Sequence, residues 1–255
     1  MLQVEIIPVL ADNYIFLLYD SNSRETAVVD PAPAKPVLDA LQKHGWQLNY
    51  IFNTHHHSDH VGANLHLKQE TNCKIVGSAV DQARIPGIDI KLAEGDEVKL
   101  GNQTFQVIDT PGHTLGHIVY YNAGNQALFC GDTLFSLGCG RLFEGSAEQM
   151  WQSLQKLRAL PPETRVYCAH EYTAANGRFA QSVDAENTEL QQRVTQVAAL
   201  RQQNIPTIPT SIGLELATNP FFRADNVCIR SNIGMAEQSD LAVFRQLRLM
   251  KDQFR

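Results

Sequence analysis

The sequence predicts an α+β protein, strand-rich over its first two thirds and mostly helical at its end. Short apolar runs bounded by turn residues recur as far as residue 168, and several of them stop directly at a His or an Asp. From Tyr172 onward the strand pattern gives way to helical spacing around Pro206, Pro209 and Asn219-Pro220. At 255 residues and 44% hydrophobic, the chain can bury one large core, or a core domain and a smaller one. A formal charge of −6 with no long basic run argues against a nucleic-acid partner, although a local cationic patch could still hold an anionic small molecule. Five cysteines without a C-x-x-C pair suit neither a disulfide scaffold nor a structural zinc finger, so a reducing cytoplasm is expected. The N-terminus has no basic region, and Glu5 and Asp12-Asn13 interrupt its apolar stretches, so neither a signal peptide nor a membrane span is expected.

In chain order, residues 4–10, 14–19 and 27–29 read as strands, with Pro8 placing the first at a sheet edge or a bulge. Pro36 suits the first turn of a helix that carries Val37, Leu38 and Leu41 on one face and stops at Gly45. The strand 49–52 then runs into Thr54-His55-His56-His57-Ser58-Asp59-His60. Four imidazoles and a carboxylate within seven residues, at the end of an apolar strand, would desolvate one another without a cation between them; imidazole and carboxylate are the usual ligands of zinc and iron. Gly62 opens a second helical stretch over 63–70.

Strands are expected again at 74–77, 97–100 and 104–108, the last leading to Thr110-Pro111-Gly112-His113-Thr114-Leu115-Gly116-His117. A tight Pro-Gly turn presents His113 outward, while His117 begins the next strand, 118–121, and reads as a packed histidine or one that supports a ligand from behind. The apolar run 127–130 ends in Gly131-Asp132-Thr133, where a charged residue at the tip of a buried strand needs a partner. Ser146 with Gln149 is a capping pattern for a helix with Met150, Trp151, Leu154 and Leu157 on one face. A strand over 165–168 stops at Ala169-His170-Glu171-Tyr172, and Cys130 and Cys168 read as buried strand thiols. Residues 188–203 and 241–253 are the two helices expected in the tail, which carries Arg245, Arg248, Lys251 and Arg255.

The run H-x-H-x-D-H at residues 55–60 resembles the metal signature of the metallo-β-lactamase superfamily, and so does the series His113, Asp132 and His170 downstream of it. The resemblance implies an αββα sandwich and a two-metal centre. One metal takes His55, His57 and His113, the other Asp59, His60 and His170, with Asp132 bridging them and Asp59 also orienting the nucleophile. His56 is then left over, turned to solvent or supporting its neighbours. Three ligands of its own and a share of Asp132 leave each metal room for water, an open arrangement suited to catalysis rather than structure. Two such cations make hydroxide available at neutral pH and polarise a carbonyl oxygen, so hydrolysis is expected. No extra acid is evident near the ligands, and a thiol of pKa about 8.5 leaves more readily than an amine, which favours a thioester.

A closer resemblance covers essentially the whole chain. Gly138-Cys139-Gly140-Arg141 with Phe143, His170-Glu171-Tyr172-Thr173, Asn219-Pro220-Phe221 and Lys251-Asp252-Gln253-Phe254 are similar to the glyoxalase II, or hydroxyacylglutathione hydrolase, family. It implies a catalytic domain over 1–172 and a helical glutathione-binding domain over 173–255, acting on S-D-lactoylglutathione and related S-2-hydroxyacylglutathiones to give D-lactate and glutathione, the second step of methylglyoxal detoxification. Arg248 and Lys251 are the residues implied to hold the glutathione carboxylates, with Arg141, Phe143 and Tyr172 as further substrate contacts. Phe143 stands where some members have a tyrosine, and Gly62-Ala63 where the family usually has two glycines. Zinc is the first expectation for both metals, with iron or manganese as alternatives, and the expected partners are a small glutathione thioester but no nucleic acid, no membrane and no second subunit. A persulfide dioxygenase of the same superfamily shares the His signature and the G-C-G-R segment but uses one iron and generally lacks the helical tail. A nuclease or β-lactamase relative leaves the basic positions without purpose, and a metal-binding module without turnover sits poorly with open metal positions.

Overall fold

The computed structural model describes residues 1–254, so Arg255 of the basic tail lies outside the described residues. The chain divides into two compact units, residues 1–109 with 115–131 and residues 110–114 with 132–255.

The first unit carries ten strands and three helices. Strands β1 (Leu2–Val9), β2 (Asn13–Asp20), β3 (Glu25–Val29), β4 (Leu48–Phe52), β5 (Lys74–Ser78) and β6 (Ile90–Leu92) form one sheet in that order, antiparallel up to β3 and parallel beyond it. Strands β7 (Glu97–Leu100), β8 (Gln103–Asp109), β9 (Ile118–Asn122) and β10 (Ala127–Gly131) form an antiparallel array. Helices α1 (Ala34–His44), α2 (Ser58–Val61) and α3 (Asn64–Thr71) join members of the first sheet.

Strand alternation sorts the core into two layers. Ile15 and Leu17 of β2 and Ile51 of β4 cluster with Val37 and Leu41 of α1 and Leu67 of α3. Their neighbours in sequence face the other way: the Phe16 ring lies 5.6 Å from Phe129, and Phe52 stacks on Tyr120 at 5.0 Å with Phe105 5.6 Å away. A β2 buried along nearly its whole length is therefore a strand covered on both faces. β1 is an edge strand, as Pro8 requires, and Pro36 sits in the first turn of α1. Gly62 has Ser58 O 2.7 Å and Ala32 O 3.0 Å from where a Cβ would stand, whereas Ala63 is accommodated while buried. Only the first position of that pair needs glycine. The parallel strands β3, β4 and β5 point the same way, so their ends deliver Asp30, Thr54-His55 and Asp81 to one edge.

The second unit begins with the hairpin β11 (Leu134–Phe135) and β12 (Gly138–Cys139), followed by α4 (Ala147–Arg158) and β13 (Arg165–Cys168). Then come α5 (Thr173–Val183), α6 (Thr188–Gln202), β14 (Thr210–Ser211), α7 (Ile212–Thr218), α8 (Val227–Asn232) and α9 (Asp240–Gln253). Ser146 and Gln149 form the capping box read from sequence. The boundary expected after residue 172 differs from the division by compactness because α4 folds with the tail: Trp151 lies 5.5 Å from Phe244 of α9. A buried polar clamp fixes the hairpin. Glu215 accepts from Leu137 N at 2.8 Å, and Asn219 Nδ2 donates to Phe135 O at 3.2 Å and Gly138 O at 3.0 Å. Burial holds the Glu215 pKa above the ordinary carboxylate value. Among the described residues, no helix is long and apolar enough to cross a membrane.

Replacing Phe52, fully buried between Tyr120 and Phe105, by alanine is expected to cost about 3–5 kcal/mol, read as a lower urea midpoint with unchanged denaturant slope.

Candidate metal centre

In the first unit the donors cluster where β3 and β4 end. Asp30 is 3% exposed and adopts a left-handed backbone, φ 51°, that turns its carboxylate back toward the end of β4. Its Oδ1 accepts from Thr54 N at 2.8 Å and its Oδ2 from Thr54 Oγ1 at 2.7 Å. His60 Nδ1 lies 3.1 Å from the same Oδ2, and His55 Nδ1 lies 3.0 Å from Thr54 Oγ1. An ionised carboxylate only accepts, so the Thr54 hydroxyl gives its hydrogen to Asp30 and takes one from His55 Nδ1, while His60 Nδ1 also donates. Both rings then keep a lone pair on Nε2, the tautomer a metal ligand needs. His55 Nε2 lies 3.1 Å from His57 Nδ1, and His60 Nε2 lies 3.5 Å from Asp59 Oδ2. Asn13 Nδ2 donates to the Asp59 carboxylate at 3.0 Å.

His56 takes the supporting role of the two expected for it. Its Nδ1 lies 2.8 Å from Oδ2 of Asp81, a fully buried carboxylate that also pairs with Arg84. His117 is a packed histidine, 1% exposed and stacked on His55 at 4.8 Å.

In the second unit one carboxylate turns an oxygen toward each of two histidines. Asp132 Oδ2 lies 3.4 Å from His113 Nε2, and Asp132 Oδ1 lies 3.4 Å from His170 Nε2, the disposition of a bridging ligand. His113 Nδ1 is 2.9 Å from the Arg141 carbonyl oxygen and must donate to it, which leaves Nε2 as an acceptor. His170 stacks flat on Tyr172 at 4.8 Å. Gly140 comes so close behind Asp132 that a Cβ there would lie 1.9 Å from the Asp132 carbonyl oxygen, which accounts for the second glycine of G-C-G-R. Imidazole nitrogens and carboxylate oxygens gathered in small groups, nearly all buried, form a donor set that fits divalent metal ions.

The same unit holds a cavity of about 390 Å³ lined by His113, Asp132 and all five side chains expected to hold substrate: Arg141, Phe143, Tyr172, Arg248 and Lys251. Arg248 is 4% exposed and fastened to the cavity wall, donating from Nη1 to Cys139 O at 2.9 Å and from Nη2 to Asp252 at 2.8 Å. Lys251 is half-buried; burial first, then the guanidinium groups of Arg248, Arg141 and Arg178, hold its pKa below that of an ordinary lysine. Phe143, largely exposed, packs edge-on against His113 at 5.1 Å. Cys139 also lines the cavity, its thiol pushed up to about 11 by burial, and burial pushes the Cys168 thiol up to about 12, so both are packed, unreactive groups.

Sequence reasoning missed Asp30 as a ligand-orienting group, although it ends a buried strand as Asp132 does and the same argument applies to it. It also missed Asn176, which lines the cavity from α5, because small and polar residues hide the apolar period of that helix.

Residues 11–170 match the family model of the metallo-β-lactamase superfamily, and with this donor set they define a metal-dependent hydrolase with the metallo-β-lactamase fold. Residues 171–254 match the model described as the hydroxyacylglutathione hydrolase C-terminus. The chain belongs to the hydroxyacylglutathione hydrolase family. It is 54% identical to a hydroxyacylglutathione hydrolase of Methylococcus capsulatus over the full length of both chains, and 51% identical to one of Rhodospirillum rubrum over 99% of each. Among solved structures it is similar to ETHE1 from Myxococcus xanthus, with a TM-score of 0.71 and 26% identity over 97% of this chain and 90% of that one. It is also similar to TTHA1623 in a di-iron-bound form, with a TM-score of 0.62 and 25% identity over 86% of this chain and 99% of that one.

Asp30→Asn keeps the shape but can no longer hold both rings in the acceptor tautomer. Metal affinity, measured by competition with a chromophoric chelator, is expected to fall roughly 10- to 100-fold.

Proposed function

We propose that the chain hydrolyses S-D-lactoylglutathione and related S-2-hydroxyacylglutathiones to D-lactate and glutathione, the second step of methylglyoxal detoxification. The observation that carries this reading is the cavity of the second unit, in which His113 and Asp132 share a wall with Arg141, Tyr172, Arg248 and Lys251. The names of the full-length relatives support it. Residues 1–172 are read as the catalytic domain and 173–255 as the glutathione-binding domain.

The metal ligands are proposed to be His55, His57 and His113 for one ion, Asp59, His60 and His170 for the other, and Asp132 for both. Zinc is the first choice; the di-iron form of TTHA1623 supports iron as an alternative, and manganese takes the same ligands. Two divalent cations in this donor set make a hydroxide available at neutral pH and polarise the thioester carbonyl. The side chains do the rest. Asp30, through Thr54, keeps His55 and His60 in the tautomer that binds metal, and the Arg141 carbonyl does so for His113. Lys251, Arg248 and Arg141 give the cavity a positive wall for the glutathione carboxylates, and Tyr172, braced on His170, borders the tripeptide. The leaving thiolate needs no proton from the protein, in keeping with the absence of an assigned general acid. We infer that the enzyme works as a monomer in the cytoplasm, where five cysteines that form no disulfide remain reduced.

The test is loss of the thioester of S-D-lactoylglutathione by purified protein, beside oxygen uptake on glutathione persulfide. Hydrolysis abolished by a chelator supports the proposal; oxygen uptake without hydrolysis would move the chain to the dioxygenase class. Asp132→Ala is expected to remove nearly all activity. Lys251→Ala is expected to raise KM roughly 10- to 100-fold with little change in kcat, the loss of a charge-assisted contact worth about 1.5–3 kcal/mol. Because the Lys251 pKa lies below the ordinary lysine value, the ammonium is lost sooner as pH rises, so KM should climb at lower pH than an unperturbed lysine would give.

A further inference from the structure

Two of the segments that the family resemblance rests on, Asn219-Pro220-Phe221 and Lys251-Asp252-Gln253-Phe254, contain aromatic residues with no part in the account so far. In the second unit they meet. Phe179 of α5, Phe221 after α7 and Phe254 after α9 form a run of phenyl rings, with centroids 5.9 Å apart between Phe179 and Phe221 and 5.5 Å between Phe179 and Phe254. Two of the three cations of α9 stand on it. The Arg248 guanidinium carbon lies 5.1 Å from the Phe221 centroid, and Lys251 Nζ lies 5.8 Å from Phe179 and 5.9 Å from Phe254.

The two cations are secured differently. Arg248 has Asp252 and the Cys139 carbonyl as hydrogen-bond acceptors. Among the described residues, Lys251 has no carboxylate within ion-pair distance, while Arg248, Arg141 and Arg178 repel it and only Asp252 attracts it. A half-buried ammonium in that field would swing out to water on its flexible stem unless something held it. The faces of two phenyl rings supply that hold, through the negative pole of the π system, and leave its hydrogens unsatisfied and available to a ligand. A carboxylate partner would have neutralised it.

We propose that Phe254, together with Phe179, is a positioning residue that holds the Lys251 ammonium in the cavity by cation–π contact, poised for a ligand carboxylate. Phe254 borders the same cavity and is 37% exposed, at the end of α9, so it can be replaced without opening the core. Phe179 is 1% exposed and serves the packing as well.

The inference rests on the proposed reading of this cavity as a glutathione site, and the experiment separates the two. Steady-state KM and kcat for S-D-lactoylglutathione are measured for the wild type, Phe254→Leu, Phe254→Tyr, Lys251→Gln and the double variant Phe254→Leu/Lys251→Gln, each checked for its melting temperature and metal content. Phe254→Leu, which keeps apolar bulk but loses the ring face, is expected to raise KM about 3- to 30-fold with kcat little changed. Phe254→Tyr restores the face and the KM, and in the double variant the leucine adds nothing to the effect of Lys251→Gln. A wild-type KM in Phe254→Leu, equal damage from leucine and tyrosine, or full additivity in the double variant would each overturn the clamp while leaving the glutathione site standing. Absence of wild-type turnover would instead overturn the reading of the site, and the clamp with it.

Discussion

The metal loop depends on one buried carboxylate. Asp30 takes the Thr54 amide, the Thr54 hydroxyl and His60 Nδ1 together, and through the hydroxyl it also dictates which nitrogen of His55 carries the proton. A single negative charge at the end of β3 therefore sets the tautomer of one histidine in each of the two proposed metal sites. Without it, either ring could turn a hydrogen toward the metal and fail as a ligand. The parallel pairing of β3 with β4 makes this arrangement inexpensive, because two strands that run together end together.

The division of labour between the units follows from the same economy. The first unit carries four of the seven proposed donors in the segment after β4, two of them on α2. The second supplies His113 from a tight turn, Asp132 beside a hairpin clamped by Glu215 and Asn219, and His170 after β13. In the second unit the polypeptide that orients a proposed ligand also lines the proposed substrate cavity: Arg141 gives its carbonyl to His113 and its side chain to the cavity. The proposed chemistry and recognition thus share a short stretch of backbone, from Asp132 to Phe143, within which Gly140 is required because a Cβ there would meet the Asp132 carbonyl oxygen.

Much of this was legible in the sequence. Four imidazoles and a carboxylate crowded after an apolar strand have few other uses, and the capping box at Ser146 and the edge position of Pro8 follow from local rules, whereas the proposed ligand series and the question of Ala63 came from the family resemblance. What escaped was whatever local rules do not encode. β6 has three residues and α2 has four, too few to show a period, and α5 hides its apolar face among Thr173, Asn176 and Gly177. Asp30 follows the strand expected over 27–29, where it was given no role. Its role depends on which strand lies alongside, and that is a tertiary fact. Lys251 could be singled out as a cation by resemblance, but of its two phenyl partners only Phe254 is near it in sequence, and Phe179 of α5 is brought to it by the fold.

The seven proposed donors are expected to hold two metal ions, both needed for turnover. The most direct measurement is thioesterase activity of metal-free protein titrated with zinc under tight-binding conditions. The account predicts activity that reaches its plateau at two equivalents per chain and is negligible in the metal-free protein. A plateau at one equivalent, or turnover without metal, would contradict it.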